Sequence, residues 1–118
     1  MKLLISRRLP ETVMAAAGAR FDVTCRPTTA PMTLDECVAA LAEQDAVIPT
    51  LADAFTADAF AAVPTPRCRL LANFGVGYNH IDVAAATAAG VAVTNTPGAV
   101  TDATADIAMT LILMTARR

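Results

Sequence analysis

The chain has 118 residues, a formal net charge of −2 at pH 7, and 55% apolar against 17% charged residues. That length is one domain's worth, and the composition excludes disorder, which needs low hydrophobicity and high net charge. Nine basic against eleven acidic residues leave no electrostatic footprint for a nucleic-acid backbone or an anionic membrane surface.

Short apolar runs alternate with Ala-rich amphipathic runs, the pattern of parallel strands joined by covering helices. It predicts a strand over Lys2–Ser6 and a helix over Pro10–Ala17, then a strand over Phe21–Cys25 and a helix over Leu34–Gln44. A strand at Ala46–Ile48 leads to a helix at Thr56–Ala62, and one at Leu70–Asn73 to a helix at Val83–Ala89. The last pair is Val91–Thr94 and Asp102–Arg117. Punctuation supports these boundaries. Thr33 and Glu36 have the spacing of a capping box, Asp82 suits an N-cap, and Gly90 can take the left-handed position that stops a helix. Pro97-Gly98 breaks the chain after the fifth strand.

Five strand–helix units with right-handed crossovers imply an α/β fold: a five-stranded parallel doubly wound sheet in the flavodoxin-like order 2-1-3-4-5. Residues 1–118 are expected to form one domain. Ligands of such sheets bind beyond the carboxyl ends of the strands.

The last helix is apolar in nearly every direction, through Ile107, Met109, Leu111, Ile112, Leu113 and Met114 among others. A helix of that kind must be covered all round, so the reading expects either a second copy packed on it or a chain cut from something longer, and favours the cut. Its run Ile107–Met114 is far short of the roughly 20 residues that span a bilayer. The N-terminus lacks the apolar stretch of a signal peptide. Cys25, Cys37 and Cys68 form no close pair and read as reduced thiols of a cytoplasmic protein. With His80 the only histidine, no zinc set or other metal site is expected.

The segment Asn73-Phe74-Gly75-Val76-Gly77-Tyr78-Asn79-His80-Ile81-Asp82 follows the fourth strand and enters a helix. Its two glycines let the backbone turn tightly and approach a ligand, and amides beside a helix N-terminus suit a carboxylate or phosphate. It is not a dinucleotide fingerprint, since His80 stands where the third glycine belongs. On spacing alone it is either a plain turn or an anion-binding loop. Ser6-Arg7-Arg8 after the first strand excludes a flavin phosphate loop, and Pro49-Thr50 after the third excludes a phosphoacceptor aspartate. His80 reads as structural rather than catalytic, because Asp82, close to it in sequence, is better used as a cap. Asp102 complements its helix dipole, and Asp106, among apolar neighbours, is expected to accept a buried hydrogen bond.

From Leu70 onward the chain closely resembles the D-isomer-specific 2-hydroxyacid dehydrogenases of the glyoxylate and hydroxypyruvate reductase type. The carrying residues are Asn73–Asp82, Val83–Val91, Val93–Gly98, Thr101–Asp106 and the closing Ala116-Arg117-Arg118. The earlier part matches more loosely, through Ser6-Arg7 and Asp45–Ile48. The resemblance implies a parent enzyme of two α/β domains that reduces a small 2-oxo acid to the 2-hydroxy acid with NAD or NADP as cofactor. This chain would be its substrate-binding domain, with 102–118 the helix crossing toward a cofactor domain.

The resemblance further implies that Gly75, Val76 and Gly77 hold the substrate carboxylate through main-chain amides, with Val100 and Leu51 near the substrate. Val76 and Thr104 would face the cofactor, and residues 102–118 would lie at a domain and homodimer interface. The family's nucleotide glycines, catalytic Arg, carboxylate and acid–base His match nothing here. The chain alone is therefore expected to bind no cofactor and to be inactive, with no catalytic residue of its own. The competing reading is a non-enzymatic module that self-associates through its last helix.

Overall fold

The computed structural model describes residues 1–117; Arg118, part of the closing Ala116-Arg117-Arg118 match and of the expected 102–118 helix, lies outside them. The elements run β1 (Lys2–Ile5), α1 (Glu11–Gly18), β2 (Asp22–Cys25), α2 (Leu34–Glu43), β3 (Ala46–Ile48), α3 (Ala57–Ala62), β4 (Leu70–Ala72), α4 (Val83–Ala88), β5 (Ala92–Thr94) and α5 (Thr101–Arg117). All strand pairs are parallel and the sheet order is β2-β1-β3-β4-β5, as the sequence predicts.

Strand alternation divides the core between the two faces of the sheet. Leu3, Ile5 and Ala46 face one side, where Leu9, Met14 and Ala17 of the α1 segment cover them. Leu4, Val47 and Leu71 face the other and pack with Cys37 and Leu41 of α2, Ala59 and Phe60 of α3, and Ala86 of α4. Phe55, on the approach to α3, is fully buried there. Its segment is tied to the start of α4 by a parallel bridge to Ile81 and by the Asp82 amide donating to the Phe55 carbonyl at 2.9 Å.

The expected caps form. Thr33 Oγ1 accepts from the Glu36 amide at 3.2 Å while Glu36 accepts from the Thr33 amide at 2.8 Å. Asp82 accepts from the Ala85 amide at 2.9 Å, and Gly90 ends α4 with φ +75°.

α5 makes no packing contact with the sheet. Every residue from Thr101 to Arg117 is exposed, so the helix projects from the sheet instead of packing on it. Asp106 is consequently exposed too; its backbone carbonyl accepts from Thr110, but its carboxylate takes no buried hydrogen bond. Among the described residues no helix is long and apolar enough to cross a membrane, no cluster of His, Cys, Asp and Glu could hold a metal, and all three cysteines are unpaired.

Candidate carboxylate-binding loop

The carboxyl ends of β1, β3, β4 and β5 lie side by side, and the loop after β4 is built by polar groups from its neighbours. Asn73, the first residue beyond β4, is buried. Its Nδ2 donates to the carbonyls of Gly75 at 3.1 Å and Gly77 at 2.9 Å. The Gly75 carbonyl also accepts from the Thr96 amide at 3.0 Å, and the Val76 carbonyl from Asn95 Nδ2 at 2.8 Å.

Every peptide bond here is trans, so each N–H points opposite to the carbonyl of the same unit. With the Gly75 and Val76 carbonyls turned onto protein donors, the Val76 and Gly77 amides are turned away. Neither donates to any protein acceptor among the described residues. Two adjacent, outward amides without partners have the geometry to receive an anionic oxygen pair.

The glycines serve this differently from the sequence reading. Neither Gly75 nor Gly77 has a positive φ; only Gly90 and Gly98 do. A Cβ on Gly75 would meet Leu51 Cδ2 at 3.0 Å, which brings Leu51, 63% exposed, against the loop. A Cβ on Gly77 would meet nothing within 4 Å. Nothing inside the protein requires glycine at 77; its bareness leaves the approach from outside open. The N-terminus of α4 adds nothing to an anion site, because that helix has six residues and Asp82 already caps it.

His80 is settled by its partner. Asn73 must present its NH2 group to the two carbonyls, so its Oδ1 faces His80 Nε2 at 3.0 Å, and that nitrogen must be the donor. Burial lowers the His80 pKa, and the negative charge of Asp53 only partly opposes this. His80 is a neutral brace for Asn73, and Asp82 is not its partner.

Sequence reasoning missed Asn73 as an organiser, and it missed Asp53. Asp53 is buried, and its carboxylate accepts from the Ser6 hydroxyl, the Thr50 amide at 2.7 Å, the Thr50 hydroxyl at 3.0 Å and the Met32 amide at 2.9 Å. Burial pushes the Asp53 carboxyl up, but these donors outweigh it and hold the group below the usual carboxylate range. The result is a rigid joint between the ends of β1 and β3, next to Leu51. No spacing in the sequence signals it, because its donors come from separate segments of the chain.

Gly75, Val76, Gly77 and Leu51 are thus brought together. Val100 and Thr104 are not: both are exposed at the start of the projecting α5, and no hydrogen bond joins either to the loop among the described residues. The β1–α1 turn does not fit a dinucleotide pyrophosphate. It has no glycine, Pro10 stands at the N-cap of α1, and the helix opens with the acidic Glu11.

Comparison with known proteins gives this geometry a context. The family profile described as D-isomer specific 2-hydroxyacid dehydrogenase, catalytic domain, matches residues 3–115. A glyoxylate reductase of Thermococcus kodakarensis is 39% identical over 117 residues, which are 99% of this chain and 34% of that protein. A solved protein of Thermus thermophilus superposes with TM-score 0.85 at 30% identity, covering 100% of this chain and 37% of that one. The NADPH-dependent glyoxylate/hydroxypyruvate reductase of Sinorhizobium meliloti, in complex with NADP and malonate, has TM-score 0.70 at 26% identity, covering 95% of this chain and 33% of that one. The chain spans about a third of the length of the curated relatives it matches. With the profile spanning nearly every residue and the same fold in its relatives, the chain belongs to the D-isomer specific 2-hydroxyacid dehydrogenase family, matching its catalytic domain.

Proposed function

We propose that this chain is the substrate-binding domain of an NAD(P)-dependent 2-hydroxyacid dehydrogenase, and that it holds the carboxylate of a small 2-oxo acid such as glyoxylate or hydroxypyruvate. The observation that carries the reading is the pair of outward, unpartnered amides at Val76 and Gly77. Gly75 leaves room for Leu51, which supplies the apolar wall. Val100 and Thr104 belong to the same reading, near substrate and cofactor respectively, once α5 is docked.

Reduction of a 2-oxo acid needs a hydride donor and an acid within hydrogen-bond reach of the carbonyl oxygen. His80 and Asp53, beside the loop, are already committed: His80 Nε2 to Asn73, and Asp53 to four donors. With the β1–α1 turn unsuited to a dinucleotide, the 118-residue chain binds no cofactor and reduces nothing by itself; both functions fall to other parts of the parent. Unpaired thiols agree with a cytoplasmic location.

The test is an amide-resolved NMR titration with glyoxylate, using glycolaldehyde, which lacks the carboxylate, as control. Selective shifts at Val76 and Gly77 with glyoxylate alone are expected. Equal responses to both compounds, or none, contradict the reading. NADH or NADPH oxidation with glyoxylate should stay at background, and turnover above it contradicts the inactive assignment.

A second reading rests on α5. Ile107, Leu111, Ile112 and Met114 are all 58% exposed or more, and an apolar helix left in water favours association. We propose homodimerisation through 102–118, compatible with the first reading. A 12.2 kDa species persisting in sedimentation at high concentration contradicts it.

A further inference from the structure

We infer that Asn73 and Asn95, at the carboxyl ends of β4 and β5, are positioning residues that aim the Val76 and Gly77 amides outward by gripping the carbonyl of the preceding residue. This rests on the carboxylate reading above and assigns the side chains that set its geometry. The two peptide units are held separately. The unit carrying the Val76 N–H is fixed through the Gly75 carbonyl by Asn73 Nδ2 at 3.1 Å and the Thr96 amide at 3.0 Å. The unit carrying the Gly77 N–H is fixed through the Val76 carbonyl by Asn95 Nδ2 at 2.8 Å.

Asn73 does more than bridge. Its second bond, to the Gly77 carbonyl at 2.9 Å, closes the loop on itself, and His80 at its Oδ1 fixes which way the amide faces. Both asparagines donate to loop carbonyls, so each acts through the backbone. Preorganised donors give up little freedom when the anion arrives, whereas loose ones must be ordered at that moment.

The difference in burial makes the roles separable. Asn73 is buried and its loss disturbs the fold, whereas Asn95 is half-buried and makes a single side-chain hydrogen bond to the loop. The informative variant is therefore Asn95→Ala, compared with Asn95→Gln, which keeps the donor, and with His80→Ala, which releases Asn73. Each is titrated with glyoxylate by amide-resolved NMR.

For Asn95→Ala the expected result is an affinity about fivefold weaker, the scale of one lost hydrogen bond. The Gly77 response is lost while Val76 still shifts, and thermal stability is essentially unchanged. Asn95→Gln recovers part of the affinity. His80→Ala weakens the Val76 response instead. If the unsubstituted chain responds and Asn95→Ala responds equally at both amides, the positioning role is overturned and the carboxylate site stands. If the unsubstituted chain does not respond, the carboxylate site falls, and any positioning role with it.

Discussion

Asp53 shows what a single buried charge does here. Its carboxylate takes donors from Ser6, Thr50 and Met32, which lie far apart in sequence, so the residue reads as an ordinary loop acid until the strands are assembled. Asn73 is similar: its partners are backbone carbonyls and a histidine, and no spacing rule announces them. The glycines, by contrast, were legible as loop markers, although neither has a positive φ: a side chain at Gly75 would crowd Leu51, and the bareness of Gly77 leaves access from outside. Asp53→Asn turns an NH2 group toward donors that need an acceptor, and should cost about 1–3 kcal/mol of stability in urea unfolding. The pH dependence has a definite sign. The Asp53 carboxyl is held below its ordinary value of 3.8 in the folded state, so its stabilisation is present above that pH and is lost as pH falls through the lowered folded value. The Asp53→Asn chain should therefore lose less stability than the parent chain on acidification below about pH 4; parallel losses contradict this account of Asp53.

At the scale of elements, most of the architecture was readable because periodicity, caps and crossover handedness agree. The capping box at Thr33 and the Asp82 cap were visible in residue spacing alone, and both form. Boundaries shift by a residue where local bonds decide. Val91 precedes β5 because its amide donates to the Ala86 carbonyl of α4 at 2.8 Å. Glu36 joins two devices at once, accepting from the Thr33 amide and from Arg26 Nε and Nη2 at 2.9–3.2 Å. Arg26 in turn donates to the Ser6 and Ala30 carbonyls, tying the chain before α2 to the end of β1. Thr33→Ala should cost about 1 kcal/mol in urea unfolding, with the glyoxylate response of Val76 and Gly77 unchanged, since the cap lies on another loop.

The whole molecule is elongated, 56 × 32 × 23 Å, with a radius of gyration of 16.7 Å. A compact chain of this length would have about 13.5 Å. The excess is α5, about 25 Å long at 1.5 Å per residue and exposed from end to end. Composition foretold that this helix needs cover; what covers it is a matter of contacts outside the helix, which residue pattern alone does not specify. Because α5 adds nothing to the core, Leu111→Ser with Ile112→Ser should leave the thermal midpoint within about 2 °C while reducing any self-association in sedimentation. A large fall in thermal midpoint would show that α5 is packed, contrary to this structure.

The central claim, that a carboxylate approaches the Val76 and Gly77 amides from outside, is tested most directly by Gly77→Val. A Cβ there meets nothing within 4 Å and the backbone φ is not in the positive region, so the fold should tolerate the side chain. The account predicts an unchanged thermal midpoint and no glyoxylate response at either amide. An unchanged midpoint with the glyoxylate response retained would contradict it.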